Sequence, residues 1–289
     1  MRYRPAGMDS LRAWYEPRRR AYPWRTSKPN PYRVLVSEVM LQQTQAARVA
    51  PAYRSFLRRF PTVRALARAP RSEALRAWSG LGYNRRAVAL SEAARAIVRD
   101  HGGRVPSDPA VLATLPGIGP YTAAAVASLA FGLPVPALDV NVARVVARSR
   151  AGIEPHELTP GALHETAAAW LTRSAMPPGE WNQALMDLGR ELCRPRPRCP
   201  GCPLAASCRF RRSGREAAPG RRAQGGFEGS TREARGAVLR ALLDHGPLRR
   251  GELVERTGME GDRVDAAVQV LRAEGVIEGR ARSRFAIAD

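Results

Sequence analysis

The stretch LPGIGPYTAAAV, Leu115 to Val126, places two glycines between two helical runs. Gly117 and Gly119 let the chain turn in a tight hairpin that exposes backbone N–H groups at the start of the following helix. That geometry holds a phosphate, which makes both glycines candidate DNA-phosphate contacts. A plain connection between two helices remains open for the same turn.

Working outward, residues from about Pro31 to Leu192 read as helix after helix. Ala, Leu, Val and Arg recur near every 3.6 positions, and turns fall at Phe60-Pro61, Gly80-Leu81-Gly82, Gly102-Gly103 and Pro116-Gly117. Sustained two-residue alternation is missing, so the fold class expected is all-α. After Cys208 the segment 211–230 is rich in Arg, Gly and Ala and reads as a basic linker. Beyond it, helices are expected at Thr231 to His245, Arg249 to Thr257 and Gly261 to Glu274. A short strand pair is expected at Val276-Ile277 and Arg284 to Ile287. Three helices and a β-wing make a winged-helix-like α+β domain over 231–289, whose third helix and Arg280, Arg282 and Arg284 can reach a groove and phosphates. A small packing module that never touches DNA is the alternative.

The 289 residues include 47 Lys plus Arg against 26 Asp plus Glu, a net charge of +21. Such a surplus attracts a polyanion such as nucleic acid, with a membrane surface as the competing partner. The opening MRYRPAGMDS lacks the apolar core of a signal peptide. The most apolar stretch, near Thr122 to Phe131, is too short to span a bilayer. A cytoplasmic monomer that binds no membrane is expected. Lys28, in a polar Ser-Lys-Pro-Asn loop, is the single lysine.

Two acids stand in unusual settings. Glu38 lies in SEVMLQQTQ, Ser37 to Gln45, inside an otherwise apolar helical turn followed by amides and a hydroxyl. An acid in an apolar environment keeps its proton near neutral pH and can act as a general acid, while polar neighbours can read base edges. A solvated helix residue is the plain alternative. Asp139 sits between apolar residues in Leu138-Asp139-Val140-Asn141-Val142, where it needs a task or a partner, a buried helix cap being the other possibility. Cleaving an N-glycosidic bond takes two carboxyl functions, one to protonate the departing base and one to stabilise a cationic sugar. Glu38 and Asp139 fit those roles. A lysine-based Schiff-base mechanism has only Lys28 to draw on.

Cys193, Cys199, Cys202 and Cys208 form C-x5-C-x2-C-x5-C, a four-thiolate set suited to a 4Fe-4S cluster or structural zinc, and spacing alone leans toward zinc. Arg194, Arg196 and Arg198 lie in the first gap, where a pinned loop would present them to phosphates.

Together these blocks resemble the helix-hairpin-helix DNA glycosylases with a C-terminal iron-sulfur loop, and within them the MutY-type adenine glycosylases. The match runs from about Tyr22 to Cys208 through Pro23-Trp24-Arg25, SEVMLQQTQ, Gly80-Leu81-Gly82-Tyr83, the hairpin, LDVNV, Asn182 to Gly189 and the cysteines. The resemblance implies a bilobed fold, with a cluster lobe of 1–30 and 137–210 and a helical-barrel lobe of 31–136, gripping double-stranded DNA that contains a mispaired or damaged base. It implies Glu38 as proton donor to adenine N7, Asp139 as stabiliser of the sugar cation, Asn141 as the residue orienting them, and Tyr121 where related lyases carry a lysine. Gln43 and Thr44 would contact the 8-oxoguanine side, and Leu81 and Tyr83 would wedge into the stack. Arg20, Trp24, Arg25 and Asp187 would line the adenine pocket. The cysteines would hold a 4Fe-4S cluster, reversing the lean toward zinc.

The chain departs from the family pattern in a first cysteine gap one residue shorter than usual, in Val140 where glycine is common, and in Asn84 where a second aromatic is common. It also carries the short 231–289 segment in place of the Nudix-like domain that reads 8-oxoguanine. The expected reaction is removal of adenine opposite 8-oxoguanine or guanine. A thymine or uracil mismatch glycosylase, and a non-catalytic iron-sulfur DNA-binding regulator, are the competing readings.

Overall fold

The computed structural model describes residues 8–217, 226, 228–279 and 284–288. Its helices are α1 (Met8–Tyr15), α2 (Pro31–Leu41), α3 (Ala46–Arg59), α4 (Val63–Arg68), α5 (Arg71–Ala77), α6 (Arg85–Asp100), α7 (Pro109–Leu112), α8 (Pro120–Phe131), α9 (Val140–Val146), α10 (Pro160–Thr172), α11 (Pro178–Glu191), α12 (Arg209–Arg212), α13 (Thr231–His245), α14 (Arg250–Thr257) and α15 (Gly261–Ala273). Two strands, β1 (Ile277–Glu278) and β2 (Ala286–Ile287), pair antiparallel with Ile277 opposite Ile287. The all-α expectation and the small α+β tail both hold. Among the described residues no helix is long and apolar enough to cross a membrane.

The chain forms two compact units: Met1–Glu38 with Pro106–Thr114 and Ile118–Arg222, and Val39–Val105 with Leu115–Gly117 and Ala223–Asp289. These divide the chain differently from the expected lobes. The whole of α8 joins the cysteine-bearing unit because it packs on α11, and the C-terminal module joins the unit of α3 to α6 because α5 binds it directly.

In the first unit α11 is the central post. Trp181, Leu185 and Leu188, spaced four and three apart, are fully buried, and α1, α8 and α9 pack against them. Trp170 meets Trp181 edge to face at 5.4 Å. Helix α8 is buried along Thr122 to Ser128, so it consists of small residues that let neighbours approach.

In the second unit Phe56 meets Phe60 and Trp78 edge to face, and α4 and α5 pack on α6. The C-terminal module is docked through α5: Arg71 donates to the Gly275 carbonyl at 3.0 Å and Arg76 to the Leu243 carbonyl at 2.5 Å. Leu248 and Phe285 bridge the module's helices to its wing. Arg280 and Arg282, Phe227 and the linker core 218–225 lie outside the described residues.

Candidate active site

Helix α2 carries Ser37 and Glu38 on a turn whose neighbours Val34, Leu35, Val36, Val39 and Met40 are all buried, so Glu38 is itself only 5% exposed. Burial pushes its carboxyl up to about 7, partly offset by a hydrogen bond from Tyr121 and reinforced by the charge of Asp139. The Tyr121 hydroxyl, on the first turn of α8, stands 3.2 Å from Glu38 Oε2. Burial raises the Tyr121 hydroxyl well above its ordinary value, with Glu38 and Asp139 adding to the rise, so it stays a donor. Glu38, Tyr121 and Asp139 therefore share one electrostatic neighbourhood within the first unit.

Asp139 is the N-cap of α9. Its Oδ1 accepts from the backbone N–H of Asn141 at 2.9 Å and of Val142 at 2.7 Å, and its Oδ2 from the Asn141 side chain at 2.9 Å. The capping role and the electrostatic role thus coincide in one carboxylate, held by three N–H donors. The adjacent Val140 is 71% exposed.

Several residues to which sequence reasoning gave no role of their own fix this arrangement. Buried Asn182 accepts from Ala137 N at 2.8 Å and donates to the Val135 carbonyl at 3.0 Å and Ser128 Oγ at 2.7 Å, tying down the segment that leads to Asp139. Gly189 of α11 lies so close to Asn141 that an added Cβ would stand 2.6 Å from the Asn141 Cβ. Arg144 donates to Asn141 Oδ1 at 2.9 Å, to the Gly189 carbonyl at 2.8 Å and to the Cys193 carbonyl at 2.5 Å, linking α9 to the cysteine segment. The glycine was visible in the Asn182-to-Gly189 block; the arginine was hidden among 45 others.

Beside Glu38, Arg25 and Asp187 form a bidentate pair at 2.7 and 3.0 Å with side chains only 7% and 4% exposed, and Arg190 adds a bond to Asp187 at 2.9 Å. Burial opposes the Arg25 charge, but its bond and attraction to Asp187 outweigh it. Trp24 stacks on Tyr22 at 4.9 Å. Arg20 is exposed at the edge of this group: it donates to the Tyr22 hydroxyl at 3.4 Å and pairs at 3.1 Å with Glu191, which Arg190 also reaches at 3.4 Å. Lys28 is exposed in its loop.

In the second unit, one guanidinium ties the end of α2 and the residues after it to the turn that precedes α6. Arg86 donates to the carbonyls of Val39 at 3.0 Å, Met40 at 2.9 Å, Leu81 at 3.3 Å and Gly82 at 3.0 Å, to Gln42 O, and to Thr44 Oγ1 at 3.0 Å. Burial lowers it to about 10, and carbonyl dipoles stand in for a carboxylate partner. Gln43 and Tyr83 hold positive φ angles of 54° and 47°, a strained state for side-chain-bearing residues. Both line a cavity of about 720 Å³ with Gln42, Arg85, Arg86 and the hairpin residues Pro116 and Gly117. Gly117, at φ 72°, sits where a Cβ would strike Ala89. Gly119 is exposed and caps α8. Leu81, expected to wedge into the stack, is 3% exposed here: its turn folds back over Trp78, whose indole N–H donates to the Gly82 carbonyl at 3.1 Å.

None of the four cysteines is in a disulfide, and with Arg148, Leu192, Ala205 and Phe210 they line one cavity of about 30 Å³. Arg148 braces this segment, pairing with buried Glu154 at 2.7 Å and donating to the carbonyls of Arg194 at 2.6 Å and Pro195 at 3.1 Å. Among the described residues no three His, Cys, Asp or Glu side chains are gathered tightly enough to hold a metal ion in this conformation. Arg194, Arg196 and Arg198 are exposed on the loop between the first two cysteines.

Comparison with known proteins matches residues 36–167 to the HhH-GPD superfamily of base excision DNA repair proteins. The chain is 40% identical to the adenine DNA glycosylase of Mycolicibacterium smegmatis over 280 residues, 96% of this chain and 94% of that one. It is 41% identical to the adenine DNA glycosylase of Mycobacterium tuberculosis over 283 residues, 96% of this chain and 92% of the relative. Among solved structures, a thermostable thymine-DNA glycosylase superposes with a TM-score of 0.65 at 33% identity, covering 73% of this chain and 97% of that one.

Proposed function

The chain belongs to the HhH-GPD superfamily of base excision DNA repair proteins, in its adenine DNA glycosylase family, and from that premise we propose how its residues remove adenine from DNA. The observation that carries the reading is the buried Glu38 carboxyl at about 7, hydrogen-bonded by Tyr121 and sensing Asp139.

Glu38 gives its proton to N7 of the flipped-out adenine as the C1′–N9 bond breaks, so the base leaves neutral. Asp139 stabilises the positive charge that develops on the sugar, and water then adds to C1′, leaving an abasic site and a free proton. Asn141 orients Asp139 through the 2.9 Å bond between their side chains. Tyr121 keeps Glu38 aimed, and the Arg25–Asp187 pair forms the polar wall of the base pocket beside Trp24. An exposed Lys28 as the single lysine is consistent with hydrolysis without strand cleavage.

Gln43 and Thr44 contact the base opposite adenine, Leu81 and Tyr83 wedge into the stack, and the hairpin at Gly117 to Gly119 with Arg194, Arg196 and Arg198 grips phosphates. The favoured opposite base is 8-oxoguanine, then guanine, and the enzyme acts as a monomer in the cytoplasm. The soft sulfur donors that line one cavity suit a 4Fe-4S cluster by their chemistry, and Cys193, Cys199, Cys202 and Cys208 would hold it. When bound, the cluster supplies cross-linking of the loop that presents these arginines.

The structural likeness to a thymine-DNA glycosylase favours one second reading, removal of thymine or uracil from mismatches. The two are separated by base release from labelled duplexes carrying A opposite 8-oxoguanine, A opposite G, T opposite G and U opposite G, with and without alkali. Release from the first two alone, with strand breakage only after alkali, is the outcome expected. Release from the T or U duplexes would move the chain to the pyrimidine branch.

A further inference from the structure

The C-terminal module has no part in the chemistry above, yet it is not a detached appendage. Arg71 and Arg76 of α5 hold its carbonyls, and its helix α13 runs beside the turn that precedes α6. Between α13 and that turn lies a groove of about 170 Å³. Leu75, Leu239, Leu243 and Leu271 make its apolar floor, and Ser79 to Asn84 form one wall.

Its charged rim is one-sided. Arg48, Arg232, Arg235 and Arg240 line it together with one carboxylate, Glu274. Arg235 is the residue paired with Glu274, at 2.7 Å. Arg48 and Arg240 are exposed. Arg240 also lies near Glu233, which is bonded to Arg263 at 2.9 Å. A groove that concentrates guanidiniums beside exposed glycine backbone, at Gly80 and Gly82, matches a phosphodiester strand: cations for the phosphates, and room for the sugar over small residues.

We propose that this groove is a second DNA-backbone clamp, in which Arg48 of α3 and Arg240 of α13 hold phosphates flanking the site where Tyr83 meets the stack. The C-terminal module then extends the footprint along the duplex by charge, and discriminates no base itself. This rests on the reading that the Gly80–Tyr83 turn touches DNA.

The test uses the full-length protein and an undamaged labelled duplex, so that binding is measured without turnover and independently of which base is excised. Fluorescence anisotropy at several salt concentrations gives the slope of log K against log salt for wild type, Arg48→Gln/Arg240→Gln, and the control Arg173→Gln, exposed near the end of α10. Each lost phosphate contact removes about one from that slope, so the double variant is expected to flatten it by roughly two while the control leaves it unchanged. Single-turnover base release at saturating enzyme is expected to stay at the wild-type rate. A slope in the double variant equal to the control's would overturn the proposal. Wild-type failure to release any base would strike the excision reading and leave the slope result standing by itself.

Discussion

The Tyr121 hydroxyl donates a 3.2 Å hydrogen bond to Glu38 Oε2, which joins the first turn of α8 to a buried acid on α2. That bond favours the ionised carboxylate, whereas burial, the larger effect, favours the protonated acid. The balance leaves Glu38 near 7, where an acid can both hold a proton and give it up.

Catalysis by protonated Glu38 falls as pH rises through about 7. Tyr121→Phe removes the donor that lowers Glu38, so the alkaline limb of the single-turnover adenine-release profile moves to higher pH. Orientation is lost as well, and the plateau rate drops by about tenfold, within the range of a positioning hydrogen bond. An alkaline limb that stays put or moves to lower pH would contradict the assignment.

The same burial costs stability at high pH. Below 4.5 Glu38 is protonated in both folded and unfolded chains and contributes nothing to the pH dependence, while above about 7 the folded state holds a buried carboxylate. The rise from 4.5 to about 7 corresponds to roughly 3 kcal/mol at about 1.4 kcal/mol per pH unit. Glu38→Gln is therefore expected to raise the denaturation midpoint at pH 8 and to leave it nearly unchanged near pH 4.5. Urea unfolding at the two pH values reads this directly.

Two variants near α9 separate charge from placement. Asp139→Asn keeps an oxygen acceptor for the N–H groups of Asn141 and Val142, so stability changes by about 1 kcal/mol or less, while adenine release falls by about a thousandfold or more. Gly189→Ala puts a methyl 2.6 Å from the Asn141 Cβ and forces α9 away from α11. It is expected to cost about 1–3 kcal/mol in unfolding experiments and to slow release together with that loss.

Iron and sulfide analysis of protein purified without oxygen is expected to give about four irons per chain, the stoichiometry of a 4Fe-4S cluster on Cys193, Cys199, Cys202 and Cys208. Cys202→Ser is expected to lower the iron content and to weaken DNA binding, because the loop carrying Arg194, Arg196 and Arg198 loses its brace. One zinc per chain in place of iron would contradict the cluster.

Much of this site was legible before any fold was described. Glu38 stands out because a lone acid in Val-Ser-Glu-Val-Met has no solvated helix face to occupy, and Asp139 because it is flanked by Leu138 and Val140. The C-terminal helices and wing followed from Gly and Pro punctuation, with boundaries displaced by one or two residues. Arg86 and Arg144 were not legible. Each acts by collecting carbonyls from segments far apart in sequence, and in a chain with 47 basic residues nothing local distinguishes such an arginine from a solvated one. The burial of Leu81 was not legible for a related reason: the Gly-Leu-Gly turn shows that the backbone bends there, but the burial depends on Trp78, which the turn folds over. The division into units was equally out of reach, since it rests on α8 choosing α11 as its partner.

The central claim is tested most directly by single-turnover release of adenine from a duplex carrying A opposite 8-oxoguanine, comparing wild type with Glu38→Gln while binding of both to the same duplex is followed by anisotropy. The account predicts release by wild type, none detectable from Glu38→Gln, and equal affinity. Release by Glu38→Gln at the wild-type rate, or binding without release by either protein, would contradict it.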